Sequence, residues 1–459
     1  MKIRIFVLIQ SFRASYWFLP SIMTIAALVL GAVMVWIDAG PGANWLDGIG
    51  WYQKVKPEGA REVLSTIAGS MITVAGVAFS ITIVAIAYAS SQYGPRILTN
   101  FMSDRGNQLT LGTFISTYVY CLVVLRTIQA GDESNFVPQL AVIVALLLAL
   151  CSVAVLIYFI HHVPRSIHVN SVIAGVGKQL IRSIGREFPA GLGDPLDERH
   201  ETSESRGRQA DERFERGDNV FELRVERNGY IQAMDNERLM ETACKHGFIV
   251  CLKRHPGEFV YNRQTLALAW PADKVDDDCA DHLLRSYSIG SQRTPTQDLT
   301  FLIDELVEFA ARALSTGIND PYTAITCADW LAAGAVEMAR RDPPSPYRLD
   351  EKGEVRVIAS PLNFSEQIAR GFGRMRPYVA RDKNAAAHQL STFASLAEDS
   401  LSTDQLDCLA EEVEKLVAMS RTLLQGPALD YVEEKAASTR RALAKARQRL
   451  ERSERSPAC

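Results

Sequence analysis

Apolar residues crowd the first third of the chain, and charged residues dominate the rest. Four stretches, at about 17–37, 64–91, 109–128 and 137–160, approach or exceed the roughly 20 apolar residues that cross a bilayer as a helix. They predict four membrane spans. Trp17 and Trp36 bracket the first, where interfacial aromatics belong. Ahead of it, Ile5, Ile9, Phe12 and Tyr16 recur at helical spacing, with Lys2, Arg4 and Arg13 among the polar positions. The run is short, is interrupted by Gln10, Ser11 and Arg13, and lacks a small-residue cleavage site. It predicts an amphipathic helix on the inner membrane face rather than a signal peptide.

The pattern changes after residue 186, which closes the predicted membrane domain (1–186). Residues 187–218 are charged and nearly free of large apolar groups, as expected of a flexible insert that buries too little to fold alone. Residues 219–274 alternate with a period of two. FELRVE and YIQAMD flank Arg227-Asn228-Gly229 and predict a hairpin. A short helix near 235–246 precedes FIVCLKRH and EFVYNRQTLALAW, and the block is similar to half of a barrel-sandwich fold without its carrier lysine. From 275 to 459 the period is helical. Thr294-Pro295-Thr296-Gln297 reads as a capping box that opens a helix with apolar positions Leu299, Leu302, Ile303, Leu306, Phe309, Ala310 and Ala313. Asp320-Pro321 caps the next helix, Ser402 to Gln405 another to about 425, and a charged helix spans about 428–454. The expected architecture is therefore a four-span α-helical membrane domain followed by a cytoplasmic α+β domain, made of a small β unit and a helical bundle.

Lys and Arg in the short loops orient the spans. Lys2, Arg4 and Arg13 precede the first; Arg96 and Arg105 follow the second; Arg165, Lys178, Arg182 and Arg186 follow the fourth. The loop AGDESNF is acidic. Both termini are expected on the cytoplasmic side of the membrane. A net charge of −4 over 459 residues, with neither half strongly basic, argues against nucleic acid as a partner. The eight Cys show no paired spacing and read as reduced thiols, neither a disulfide framework nor a zinc site.

The second span carries the most specific pattern. Thr66, Ser70, Thr73 and Ser80 lie on one helical face, continued by Val77 and Val84 and ended by Ser91. Such a face can line a pore, polar at the outer mouth and apolar further in. A helix-packing face built from small and hydroxyl residues gives the same pattern, with Gly69, Gly76, Ala68 and Ala75 allowing close approach. Gln92, Tyr93 and Arg96 follow at the cytoplasmic mouth, where Gly94-Pro95 stops the helix and Arg96 can snorkel. No charge sits mid-span, which disfavours a proton relay. In the helical region, Arg285, Arg293, Asp298, Arg312, Asn319 and Asp320 surround SIGSQRTPTQD and ARALSTGINDPYTA. They suit an anionic ligand or a subunit contact, although capping and structural ion pairs account for them equally. His161, His162 and His168 read as an interfacial cluster rather than a metal site.

SSQYGPRIL and QRTPTQD…ALSTGINDPYTA resemble the bacterial predicted-membrane-protein family with domain of unknown function 2254, nearly end to end. The four-span layout, with hydroxyl and small residues in the second span, is more distantly similar to bestrophin-like anion channels; their apolar neck and acidic calcium clasp have no counterpart here. With no P-loop, G-x-S-x-G or H-E-x-x-H signature, the sequence predicts no enzyme, cofactor or metal. It predicts an oligomeric ion channel in the bilayer, passing small inorganic ions. The alternative is a membrane-anchored sensor or scaffold.

Overall fold

A computed structural model describes residues 16–40, 56–93, 104–129, 136–187, 194–195, 201–341, 345–399 and 402–455. The stripe of Ile5, Ile9 and Phe12 lies outside these residues, as does the corner at Gly94, Pro95 and Arg96. Contacts divide the chain into two compact units that meet in sequence at Ser171 and Val172.

The first unit holds α1 (Phe18–Ala39), α2 (Pro57–Tyr93), α3 (Arg105–Thr127) and α4 (Gln139–Ile167). All four are long and apolar enough to cross a membrane. α2 begins at Pro57, earlier than hydropathy alone suggests, because its charged first turns are also helical: Arg61 donates to the Ile128 carbonyl at 2.8 Å. α3 is central, burying Leu111, Phe114, Tyr120, Cys121 and Val124 against its neighbours.

Polar ties fix both ends of this bundle. Asp104 caps α3, accepting from the Gly106 and Asn107 amides at 2.6 and 3.3 Å. The same carboxylate meets His162 Nε2 at 3.0 Å, and His162 Nδ1 lies 3.2 Å from the Tyr158 hydroxyl. His162 is thus tied to a helix cap, while His161 and His168 are exposed. At the opposite end Asp38 accepts from Leu140 and Ala141 amides, at 3.2 and 2.9 Å. It caps α4 from another helix, since the residue at α4's own N-cap is Pro138, with no side-chain oxygen to offer.

The second unit opens with α5 (Val169–Glu187), whose Ile173, Val176, Leu180 and Ile184 are fully buried. Its Gly177 lies against the Trp330 ring. Residues 172–187 therefore belong with the C-terminal unit, not with the membrane domain to which the sequence assigned them up to 186. The expected flexible insert is also corrected in part. Beyond β1 (Asp194–Pro195), α6 (Glu201–Arg216) buries Ala210 and Phe214, one turn apart, and lays Arg213 4.3 Å from the Trp270 ring centre.

The strands that follow are β2 (Phe221–Arg224), β3 (Gly229–Met234), β4 (Ile249–Leu252), β5 (Phe259–Val260), β6 (Thr265–Trp270) and β7 (Tyr287–Gly290). The helices α7 (Asn236–His246) and α8 (Asp277–Leu284) interrupt them. α9 (Leu299–Ala313) and α10 (Pro321–Ala339) lead to β8 (Tyr347–Leu349) and β9 (Val355–Ile358). One sheet runs β1-β8-β9-β4-β6-β2, with β4 and β9 parallel; a second runs β5-β3-β7.

The expected Asn-Gly hairpin does not form, because β2 pairs with β6 whereas β3 pairs with β5 and β7. Gly229 has φ +155°, and a side chain there would meet the Gly290 carbonyl oxygen at 2.7 Å. Glycine is required for strand approach, not for a two-residue turn. Nor is the β unit confined to 219–274, since β7, β8 and β9 complete its sheets.

The chain ends with α11 (Phe364–Ile368), a π-helical turn at Ala369–Gly373, α12 (Arg374–Val379), α13 (Lys383–Leu396), α14 (Thr403–Leu423) and α15 (Pro427–Arg455). Asp320 caps α10 and Ser402 with Gln405 forms a capping box on α14, both as expected.

Candidate functional site

Two regions carry the candidate residues. In the first unit, α2 packs through Ala60, Leu64, Ile67, Ala68, Met71, Ala75, Ala78, Thr82, Ala85 and Ala89, all buried. Steps of three and four keep these on one side. Thr66, Ser70, Thr73, Val77, Ser80, Val84 and Ser91 are all exposed on other sides of the helix. Ala68 and Ala75 serve packing within the bundle, whereas Gly69 and Gly76 open outward: among the described residues nothing beyond the neighbouring helix backbone lies within 4 Å of a Cβ added there. Four of the hydroxyls are satisfied within the helix. Ser70 donates to the Ile67 carbonyl (2.9 Å), Thr73 to Gly69 (2.8 Å), Ser80 to Gly76 (2.9 Å) and Ser91 to Tyr88 (2.8 Å). A shallow groove of about 530 Å³ runs beside Ser80 and Val84 to Val163 and Pro164 of α4. The side chains of Gln92 and Tyr93, like Arg96, lie outside the described residues.

In the second unit, a cavity of about 760 Å³ opens between the loop after β4 and the start of α9 on one side and the π-helical turn on the other. Its charged floor is built in layers. The predicted capping box at Thr294 is not used. Gln297 instead accepts from the Met234 amide at 2.7 Å and donates to the Met234 carbonyl at 3.1 Å, while Thr294 donates to the Gln232 carbonyl. Docked on β3 in this way, the segment leaves Asp298 to cap α9 through the Phe301 amide at 3.0 Å. Gly257, at φ +92°, passes so close to the Asp298 carboxylate that no side chain fits between them.

Arg293 grips Asp298 through Nε and Nη2 at 3.0 and 2.7 Å and reaches Asp304 through Nη1 at 2.7 Å. Asp304 also receives Arg370 Nε and Nη2, at 2.9 and 2.7 Å, and Arg374 Nη1 at 2.9 Å. Burial works against the Asp304 charge, but hydrogen bonds and charge from Arg370 and Arg293 outweigh it and hold the carboxyl below its usual range. Burial likewise opposes the charge on Arg293, yet Asp298 and Asp304 raise its pKa above the usual value.

Of the six candidates in the helical region, only Arg293 and Asp298 meet in this site. Arg285 and Arg312 form surface pairs one turn along their own helices, with Asp281 and Glu308. Asn319, at φ +51°, and Asp320 shape the turn into α10. Asp304, Arg370 and Arg374 are the members that sequence reasoning missed. The spacing of Arg370 and Arg374 by one helical turn was the available signal.

A profile described as "Predicted membrane protein (DUF2254)" matches residues 13–395. The chain belongs to this family. Its match includes the four apolar helices and every residue of the arginine–aspartate cluster, and stops before α14 and α15. Two relatives are the uncharacterized protein Rv1290c of Mycobacterium tuberculosis (strain ATCC 25618 / H37Rv) and the uncharacterized protein Mb1321c of Mycobacterium bovis. Each is 30% identical over 392 residues, covering 84% of this chain and 72% of the relative. No solved structure matches the chain. Among the described residues, no group of three His, Cys, Asp or Glu is placed to hold a metal ion.

Proposed function

We propose that this DUF2254 protein is a homo-oligomeric ion channel of the bacterial inner membrane, with α2 from each subunit lining the pathway. On this reading both termini and the C-terminal unit are cytoplasmic, that unit assembles or gates the channel, and the protein conducts small inorganic ions rather than catalysing a reaction. The observation that carries the reading is the split of α2 into two faces. One is sealed against its own bundle, and the other presents hydroxyls, Gly69 and Gly76 outward among exposed apolar residues such as Ile72, Val77 and Val84. A lipid-facing helix gains nothing from such residues, whereas close subunit contact and an ion path both use them.

The test is thiol chemistry in liposomes containing the purified protein. With Cys151 replaced by Ser, Thr73→Cys and Ser80→Cys should react with a water-soluble methanethiosulfonate, and the reaction should change ion flux. Absent flux, together with positions 73 and 80 that react only with lipid-soluble reagents, would sink the proposal. A sensor role is the second reading, favoured by the cavity beside Arg370 and Arg374.

A further inference from the structure

The cavity of the second unit holds polar groups whose hydrogen-bonding capacity is only partly used, and its spare guanidinium donors sit on two arginines one helical turn apart. Asp298 and Asp304 are fully engaged. Asp298 accepts from Arg293, the Thr300 hydroxyl (2.6 Å) and the Phe301 amide; Asp304 accepts four guanidinium N–H groups. The arginines are not equally engaged. Arg293 uses Nε and both terminal nitrogens, so it is a structural strut. Arg370 keeps Nη1 without a partner among the described residues, and Arg374 keeps Nε and Nη2. Both side chains line the cavity, and Arg374 is 55% exposed. A shared carboxylate behind two guanidinium groups fixes their orientation in advance, which lowers the entropic cost of gripping an oxyanion in front of them.

Three further observations point to a ligand. The arginines flank or occupy a π-helical turn, Ala369–Gly373, and such turns concentrate at functional sites. Asn236 lines the same cavity, and its Oδ1 is buried without a hydrogen-bond partner among the described residues. A buried acceptor left unmatched costs stability unless something donates to it. The remaining wall includes Met234, Leu252, Pro256, Leu299 and Leu362. The volume, about 760 Å³, falls in the range of small-molecule sites. The acidic groups on the rim are already occupied: Glu258 meets Arg254 at 2.9 Å, and Glu366 accepts from the Asn363 amide at 3.0 Å.

We infer that this cavity binds a small organic oxyanion of about nucleotide size, its phosphate or carboxylate held by Arg370 and Arg374 and its apolar body against the Met234 and Leu252 wall, with a donor group toward Asn236. The site is independent of whether α2 lines a pore.

The experiment is calorimetry and thermal unfolding of the full chain in detergent, with AMP, ATP, inorganic phosphate and citrate as probes at millimolar concentration. AMP or ATP binding identifies a phosphate ligand, and citrate binding a carboxylate ligand; either supports the site. Arg374→Gln, half exposed and held by one hydrogen bond, should unfold at the wild-type temperature without probe yet bind about tenfold or more weakly. Arg312→Gln, on a surface pair outside the cavity, should bind as wild type. The inference is overturned if no probe binds, if only inorganic phosphate does, if Arg374→Gln binds as tightly as wild type, or if Arg312→Gln weakens binding equally.

Discussion

Asp304 is where the C-terminal unit is most exposed to a single substitution. Its side chain is 12% exposed and receives Arg293, Arg370 and Arg374, which are 14%, 27% and 55% exposed. Asp304→Asn keeps the shape but removes the charge and turns one acceptor into a donor facing an arginine. The three partners do not suffer alike. Arg374 is largely solvated, so its pair is worth about 0–1 kcal/mol. Arg293 retains Asp298. Arg370, whose two hydrogen bonds among the described residues both end on Asp304, is left with neither carboxylate oxygen at full strength. Breaking a buried pair costs about 3–5 kcal/mol, and with one arginine stranded rather than three the expected loss is about 3 kcal/mol.

Pulse proteolysis of the detergent-purified chain across a urea series reads this loss as a lower midpoint, because cleavage tracks the unfolded population. The pH dependence carries the sign. The Asp304 pKa is lowered in the folded protein. Its stabilisation is therefore complete above the unfolded value of about 3.9 and disappears as pH falls through the folded value. The gap between wild type and Asp304→Asn should stay flat from about pH 5 to 8 and close only below about 4. A loss under about 1 kcal/mol at neutral pH, or a gap that closes near pH 6, would refute the reasoning, since neither fits a paired carboxylate.

Gly177→Ala should destabilise the C-terminal unit by about 1–3 kcal/mol in the same assay, because its methyl enters the Trp330 ring and α5 must shift on α10. Asp320→Ala removes the α10 cap, which accepts from the Thr323 amide at 3.2 Å, and should cost about 1 kcal/mol. Arg348 is fully buried, and among the described residues it bonds only the Ser345 and Tyr347 carbonyls and leaves Nε and Nη2 unpaired. Burial pushes its pKa down to about 10. Arg348→Met should therefore leave stability unchanged or raise it by about 1–3 kcal/mol, and a clear loss would show that the charge is compensated.

What the sequence disclosed depended on how local each cause is. A membrane span is set by the composition of one continuous segment, so all four helices were visible as apolar runs. The caps at Asp320 and Ser402 are also local, since donor and acceptor lie within one turn. Thr294-Pro295-Thr296-Gln297 has the same local form but fails, because Gln297 finds stronger partners 63 residues away on Met234. The floor of the cavity joins Asp304 to Arg370 and Arg374 across 66 and 70 residues. No periodicity encodes that distance. Within the insert at 187–218, α6 is hidden for another reason: average composition masks Ala210 and Phe214, a pair one turn apart that is enough to seat this helix.

The α2 stripe poses a different problem, since composition suggested polarity and geometry offers mainly shape. Ser70, Thr73, Ser80 and Ser91 each bond a carbonyl of their own helix, so none of these four hydroxyls demands water or a partner. What distinguishes the face is how closely another surface can approach Gly69 and Gly76. Gly76→Leu isolates that property. Among the described residues nothing beyond the neighbouring helix backbone lies within 4 Å of a Cβ at this position, so the new side chain starts into open space, and Leu favours helix over Gly by roughly 0.5–1 kcal/mol. If lipid covers the face, the variant behaves as wild type or slightly more stable. If a second copy covers it, leucine wedges the helices apart, and the detergent-purified protein should run at lower mass than wild type in size-exclusion light scattering. Equal masses for an oligomeric wild type and variant would remove this face from the subunit contact, and with it the main support for placing α2 at the oligomer axis.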